Sequence, residues 1–243
     1  MKLALFEEKV RQTIRKNTAA SYGLTLAIGL PFPDDISHRI QQIQQQLESV
    51  TPGRFAWYGL DHLHATLVAP MRGRYRDYPA LQQEEMPIDF QRFSYDLINF
   101  FSRHPPFSLE LAGVRISDHG FVLIVENTFS RQLTSILNRH PEFDQPKHFN
   151  GLHVAIGYFN TARPFATNEE IVLLEAALTE LAETYIGSVM VRQIWLVHYA
   201  NRTLSQIVGK VEFNLGKANV LTSNDLLREL GILSTISPGR YTL

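Results

Sequence analysis

Two short segments place a histidine at the same point of an alternating pattern. The first reads Leu-His-Ala-Thr-Leu over residues 63–67, and the second reads Leu-His-Val-Ala-Ile over residues 152–156. Side chains on a β-strand alternate between its two faces. If both segments are strands, each buries its apolar residues and presents His64 or His153 on the opposite face. The pattern predicts that one cleft receives an imidazole from each strand.

Two imidazoles in one cleft suit the cleavage of a phosphodiester. One proton must leave the attacking oxygen and another must reach the leaving oxygen, and histidine titrates at about pH 6.5 when unperturbed. Each such transfer accelerates a reaction on the order of 10²–10⁴-fold. The hydroxyl of Thr66 lies two residues after His64 on the same strand face, where it can donate to a phosphoryl oxygen. We therefore predict His64, His153 and Thr66 as catalytic residues.

The segments His-Ala-Thr-Leu at 64–67 and His-Val-Ala-Ile at 153–156 resemble the paired His-x-Thr/Ser-apolar motifs of the 2H phosphoesterase superfamily. That superfamily includes RNA 2′,3′-cyclic phosphodiesterases, and the resemblance extends in layout over about residues 20–215. The resemblance implies a bilobal antiparallel fold with both histidines in a central cleft. It also implies metal-independent hydrolysis of a cyclic phosphate by two-histidine acid–base catalysis.

Two further residues of the second segment are predicted to line the substrate site. Ala155 stands where the 2H motif usually has threonine or serine. A hydrogen bond to a charged group, worth about 1.5–3 kcal/mol, is therefore missing unless a backbone amide or a tyrosine supplies it. Phe159 falls on the face of His153 if the alternation holds, and it would then stack on a base. The alternative for Phe159 is a position in the core.

Two other functions remain open at this point. His62 and His64 are spaced to share a strand face, so with His153 they form a candidate three-histidine zinc site. The glutamate that a cupin places soon after such a pair is absent until Glu84. A module that binds a nucleotide or an RNA end without catalysis is the second alternative, and Ala155 is its main support. The prediction we carry forward needs no metal and no other cofactor.

The elements around the two motifs follow a similar order, with a strand and a helix before each histidine strand. The predicted helices cover residues 2–16, 34–47, 90–101, 128–138, 168–184 and 221–230, and the predicted strands cover 22–30, 55–58, 63–69, 107–116, 121–126, 152–159, 189–199 and 207–213. The repeat predicts an α+β fold that is bilobal, with two pseudo-symmetric antiparallel sheets, outer helices and a central cleft. We expect one domain over residues 1–243, with lobes at about 20–70 and 107–160 and a C-terminal part at 167–215.

Three local predictions concern the surroundings of the motifs. Asp34 and Asp35 are candidate N-caps for the helix over 34–47. The glutamines of that helix are expected on its solvated face; they are Gln41, Gln42, Gln44, Gln45 and Gln46. Residues 71–88 are expected to be irregular, and their arginines either hold a phosphate or belong to a solvated loop; these are Arg72, Arg74 and Arg76.

Composition limits the class of partner. The 243 residues are 44% apolar and 19% charged, which is ordinary for a soluble globular protein. A net charge of −1 argues against a broad grip on duplex nucleic acid, and the absence of cysteine excludes disulfides and thiolate nucleophiles. No signal peptide and no apolar run long enough to span a membrane is visible. We expect a cytoplasmic monomer whose partner is a small nucleotide or an RNA end carrying a cyclic phosphate.

Overall fold

A computed structural model shows how these segments fold. It describes residues 8, 11, 22–75, 90–117, 120–126, 129, 133, 135–136, 138–139, 152–160, 162–163, 167–201 and 203–232. Of the helix predicted over 2–16, only Glu8 and Arg11 are within these ranges, and both are helical. The helix predicted over 128–138 is also described only in part, and Arg76 lies outside the described residues.

Strands form where the apolar alternation predicts them, with two differences. The strands are β1 (Tyr22–Gly29), β2 (Phe55–Trp57), β3 (His64–Tyr75), β4 (Phe107–Ile116), β5 (Gly120–Glu126), β6 (Leu152–Phe159), β7 (Tyr185–Val191), β8 (Gln193–Tyr199) and β9 (Ile207–Asn214). Residues 71–75, predicted as irregular, continue β3 because their backbone pairs with the start of β1. The single strand predicted over 189–199 is two strands, which Arg192 separates.

Four helices complete the described elements. They are α1 (Asp34–Val50), α2 (Phe90–Arg103), α3 (Asn168–Leu181) and α4 (Ser223–Glu229), and a 3-10 turn covers Leu60–His62. The prediction that an aspartate caps α1 is wrong, because Pro33 occupies the N-cap and both aspartates lie in the first turn. There their negative charge faces the positive end of the helix dipole. α3 begins with a capping box between Thr167 and Glu170.

The two histidine strands are neighbours at the centre of one sheet. The described strands form an antiparallel sheet in the order β7-β4-β5-β6-β3-β1-β8-β9, and β2 pairs with β6 outside this order. The two predicted sheets are thus two four-stranded arms, and they meet where β3 pairs with β6. The registered pair at this junction is Ala65 opposite Val154. The bilobal α+β fold is confirmed, with the lobes joined edge to edge.

The main core lies between this sheet and the helices. Ile40 of α1, Leu97 of α2 and Leu174 of α3 are fully buried in it, as are Ala65 and Val154 at the junction. A second, smaller cluster contains Ala27, Leu30, Val197, Tyr199 and Leu204. Since Ala27 pairs with Thr66, the second cluster covers part of the sheet face that carries the histidines. The core face therefore stabilises the sheet, and the other face holds the motif residues.

Gln44 corrects the prediction for the polar face of α1. Its side chain is buried, and its Nε2 donates to the carbonyl oxygens of Tyr58 at 3.0 Å and Ile156 at 2.8 Å. Gln44 follows Ile40 by four residues, so it belongs to the stripe of the helix that faces the sheet. A buried amide there satisfies two carbonyls at the point where β2 leaves β6.

An ion pair ties the segment before β2 to the second half of the chain. The guanidinium of Arg54 contacts both carboxylate oxygens of Glu170, at 3.1 to 3.2 Å. Burial alone would raise the pKa of Glu170, but hydrogen bonds from Thr167 and Arg54 outweigh it and lower that pKa. The pair fixes the N-terminus of α3 against the start of β2. Among the described helices, none is both long and apolar enough to cross a membrane.

Candidate active site

His64 has a fixed ring orientation and a defined proton position. It begins β3, and its Nδ1 donates to the backbone carbonyl oxygen of His62 at 2.8 Å. A carbonyl oxygen only accepts, so Nδ1 carries the proton. In the neutral ring, Nε2 therefore keeps its lone pair and is the nitrogen left for chemistry.

Burial sets the charge of His64. The residue is 7% exposed, and burial lowers the pKa of its imidazole to about 4. The hydrogen bond to His62 opposes this shift, and the nearby His153 and His62 rings add to it. The imidazole of His64 is consequently neutral at pH 7.

The pairing of β3 with β6 brings the two motifs together. Ala65 lies opposite Val154, and both side chains point into the core. One residue to either side, His64 lies across from Ala155 and Thr66 lies across from His153, all on the other face. Side chains that face each other across antiparallel strands have Cβ atoms roughly 4.5–5.5 Å apart. Each histidine is thus beside the third residue of the other motif.

His153 differs from His64 in exposure. Its side chain is exposed, whereas Thr66 and Ala155 beside the junction are partly buried. On its other side, His153 pairs with Ile124 of β5. The site therefore has a deep end at His64 and an accessible end at His153.

Two tyrosines line the deep end. The ring of Tyr58 lies 6.2 Å from the ring of His64 and 5.7 Å from that of Tyr158, measured between centroids, and both contacts are edge-to-face. The backbone N–H of Tyr58 donates to the carbonyl of Ile156 at 3.1 Å. Burial, and next the neighbouring Tyr158, raise the pKa of the Tyr58 phenol. Its hydroxyl is protonated at neutral pH and is a hydrogen-bond donor.

Gly29 is the residue of β1 that pairs with His64. It has a φ of +92°, which residues with a Cβ rarely adopt. A Cβ there would lie 2.8 Å from the ring of Phe32 and 2.9 Å from the carbonyl oxygen of Leu63. Glycine is therefore required where the end of β1 packs against Phe32 and the backbone of Leu63.

Comparison with solved structures supports the architecture. No protein-family model matches the sequence, and no curated protein matches it. TT0787 of Thermus thermophilus is 14% identical, with a TM-score of 0.54 over 81% of this chain and 100% of its own. ATU0111 from Agrobacterium tumefaciens strain C58, a conserved protein of unknown function, is 15% identical, with a TM-score of 0.53 over 81% of this chain and 86% of its own.

A structure named only as a phosphoesterase is also similar, with 14% identity and a TM-score of 0.47 over 79% of this chain and 98% of its own. At these sequence identities the similarity is evidence for the fold only. That evidence comes from TT0787 and ATU0111, whose TM-scores are above 0.5. The chain shares its fold with TT0787 and ATU0111. The resemblance inferred from the two motifs is confirmed at that level.

Within this fold, the position of Phe159 corrects the sequence prediction. Phe121 pairs with Gly157 and Val122 with Ala155, so Ile156 is the additional residue of a β-bulge. The bulge shifts the alternation. Phe159 is consequently fully buried, with its ring 5.3 Å from that of Phe55.

Tyr158 takes the place that simple alternation assigns to Phe159. It lies beside Tyr58 on the histidine side of β6. Sequence reasoning missed both tyrosines. Gly157 was an available signal, since a glycine within a strand often marks a bulge. Tyr58 had no such signal, because its place depends on the pairing of β2 with β6.

The remaining sequence hypotheses have these outcomes. Arg72 and Arg74 lie on β3, so they are not part of an irregular loop. Within the described ranges, no three side chains of histidine, aspartate or glutamate form a group that could hold a metal ion. Ala155 lies beside His64, where the 2H motif usually has a hydroxyl.

Proposed function

We propose that this protein hydrolyses a cyclic phosphodiester by general acid–base catalysis between His64 and His153. The main support is that the two histidines lie on adjacent strands of one sheet face but differ in burial. His64 is buried and neutral with its Nδ1 proton held, and His153 is exposed. In the proposed reaction the buried ring accepts a proton and the exposed ring donates one.

His64 is the general base of the proposed reaction. Its Nδ1–H bond to the carbonyl of His62 leaves Nε2 as the acceptor. Because its pKa is about 4, the ring is already deprotonated over the whole neutral range. A base of low pKa also releases the proton readily to solvent after each turnover, although it drives the abstraction less strongly.

His153 is the general acid. His153 is exposed, so its ring is accessible to solvent and to a substrate. The neutral ring of His64 brings no second positive charge that would oppose a protonated His153. Thr66, across the strand junction from His153, donates a hydrogen bond from its hydroxyl to a phosphoryl oxygen.

The chemical step balances with these groups and one water molecule. The water oxygen forms a new bond to phosphorus while its proton moves to Nε2 of His64. The bond from phosphorus to one ribose oxygen breaks, and His153 gives its proton to that oxygen. The product is a phosphomonoester with a free hydroxyl, and neither transfer requires a metal ion. A cyclic phosphate on a small nucleotide or an RNA end is the substrate class.

The test is direct assay of the purified protein in EDTA against a panel of three cyclic phosphates and one linear 2′-5′ diester. The panel contains a 2′,3′-cyclic nucleotide, an RNA ending in a 2′,3′-cyclic phosphate, ADP-ribose 1″,2″-cyclic phosphate and a 2′-5′ dinucleotide. Phosphorus NMR follows conversion of diester to monoester, and the double variant His64→Asn/His153→Asn is the control. We expect ring opening of at least one cyclic phosphate at a rate that EDTA leaves unchanged.

Two results would contradict this function. Nucleotide binding without turnover of any panel member would favour the binding module, which Ala155 supports. Activity that EDTA removes and zinc restores would favour the metal hydrolase.

A further inference from the structure

The missing hydroxyl at position 155 leaves the deep end of the site short of a donor. The hydroxyl of Thr66 is a hydrogen-bond donor beside His153, because Thr66 lies across the β3–β6 junction from that residue. The equivalent place beside His64 holds Ala155, whose methyl group donates nothing. A doubly charged phosphate or a developing phosphorane needs hydrogen-bond donors on more than one oxygen. The need for a second donor rests on the proposed function.

Tyr58 lies beside the place that Ala155 leaves open. The centroid of its ring lies 6.2 Å from that of His64 and 5.7 Å from that of Tyr158, and both contacts are edge-to-face. Since Ala155 is the cross-strand neighbour of His64, a side chain in contact with the His64 ring borders the same space. A small residue at position 155 leaves that space available to the phenol.

The backbone of Tyr58 is held more firmly than that of an ordinary loop residue. Its N–H donates to the carbonyl of Ile156 at 3.1 Å, and its own carbonyl accepts from Gln44 at 3.0 Å. The same amide of Gln44 reaches the carbonyl of Ile156 at 2.8 Å. These bonds join Tyr58 to the β-bulge that carries Ala155, Gly157 and Tyr158. A donor fixed in this way loses little freedom when it binds a ligand.

We infer that the phenol hydroxyl of Tyr58 replaces the hydroxyl missing at position 155 and donates a hydrogen bond to a phosphoryl oxygen of the substrate beside His64. The raised pKa of this phenol agrees with that role, because a donor must keep its proton across the working pH range. The ring of Tyr158 contacts that of Tyr58 edge to face. The site then has one donor for each histidine: Thr66 beside His153 and Tyr58 beside His64.

The experiment compares four variants with the wild type. Tyr58→Phe removes the hydroxyl and keeps the ring, and Tyr58→Phe/Ala155→Thr offers a hydroxyl from the motif position instead. Tyr158→Phe tests the neighbouring phenol, and Tyr185→Phe is the matched control because Tyr185 is exposed on the edge strand β7. Two quantities are measured for each protein: kcat and KM for the cyclic phosphate turned over, and the dissociation constant for inorganic phosphate by calorimetry.

We expect Tyr58→Phe to lower kcat/KM roughly ten- to hundredfold and to weaken phosphate binding, as loss of a hydrogen bond to a charged group does. The Ala155→Thr change should restore most of both quantities in the Tyr58→Phe background. Tyr185→Phe should match the wild type. Circular dichroism and the urea midpoint establish that each variant is folded.

Three results overturn the inference, and they are distinct from failure of the proposed function. Wild-type values for Tyr58→Phe would show that its hydroxyl contacts no phosphate. A loss confined to Tyr158→Phe would assign the role to that residue instead. A folded Tyr58→Phe/Ala155→Thr protein without any recovery would show that the two positions do not serve one oxygen. If the wild type turns over nothing, phosphate affinity alone decides: a loss in Tyr58→Phe that Ala155→Thr reverses upholds the inference, and any other result, including no phosphate binding, rejects it.

Discussion

β3 and β6 carry similar motifs on one face of one sheet, but they present their histidines in different environments. His64 of β3 is buried beside Tyr58 and bonded through Nδ1 to His62, whereas His153 of β6 is exposed. The motifs also differ in their third residue, because the first has the hydroxyl of Thr66 and the second has the methyl group of Ala155. A local pattern shared by two strands thus sets which face a histidine occupies. Its surroundings set its burial, and the roles of base and acid that we propose follow from that difference.

The position of each strand relative to its neighbours produces this difference. β3 begins at His64, two residues after the end of a 3-10 turn, and the His64 ring contacts the carbonyl of His62 in that turn and the ring of Tyr58. His153 is the second residue of β6, and its neighbours across the sheet are Thr66 and Ile124. The two motifs therefore share a strand pattern, while the environments of the two rings differ.

The largest expected effect comes from removing either histidine. His64→Ala and His153→Ala should each lower turnover on the order of 10²–10⁴-fold. The double variant should be little worse than either single one, because residues that act as a unit are not additive. Steady-state kinetics on the cyclic phosphate identified above measures all three variants.

A second substrate separates the two roles. A nitrophenyl phosphodiester has a leaving oxygen that departs without a proton, so it should largely bypass the need for an acid. His153→Ala should retain most of the wild-type rate on this ester, and His64→Ala should not. The opposite pattern would reverse the assignment of base and acid, and near wild-type turnover in both variants would reject the two-histidine mechanism.

The next effect concerns stability and follows from the lowered pKa of His64. Between about pH 4 and 6.5 an imidazole is protonated in the unfolded chain, while His64 in the folded protein is not. The unfolded state then binds more protons, so this group destabilises the folded state progressively as the pH falls through that window. The whole shift corresponds to roughly 3 kcal/mol.

Urea unfolding of wild type and His64→Asn at pH 7 and pH 4 measures this contribution. The asparagine amide can still donate to the carbonyl of His62, but it does not titrate. The free energy of unfolding of the wild type should fall by roughly 3 kcal/mol more than that of the variant over this interval. The comparison cancels other titrations, including that of His198, whose pKa burial also lowers. Equal losses in both proteins would mean that His64 is not desolvated.

Sequence reasoning reached the fold through features that are local. Alternation located the histidine strands and placed His64 and His153 on a face opposite to buried neighbours such as Ala65 and Val154. It failed where tertiary pairing decides. The bulge at Ile156 buries Phe159 and turns Tyr158 toward the histidines. A strictly alternating pattern does not predict such a bulge.

The chemistry of the site was also only partly visible in the sequence. The types of the motif residues predicted proton transfer and the missing hydroxyl at position 155. The burial of His64, the nitrogen that carries its proton and the approach of Tyr58 all depend on residues distant in the chain. Gln44 illustrates the limit, because its helical position was readable but its two carbonyl partners were not.

The smallest expected effect is the loss of kcat/KM on removing the hydroxyl of Thr66. Thr66→Ala should lower kcat/KM roughly ten- to hundredfold, because it removes the donor on the side of His153. Thr66→Ser is the matched variant: it keeps the hydroxyl and loses only a methyl group, so it should retain most of the activity. If the Thr66→Ser and Thr66→Ala variants lose activity equally, the cause would be lost packing of the threonine methyl group against Ala27 in the second cluster. If the hydroxyl matters, adding Ala155→Thr to Thr66→Ala should not restore the rate, because position 155 faces His64 and reaches the other end of the site.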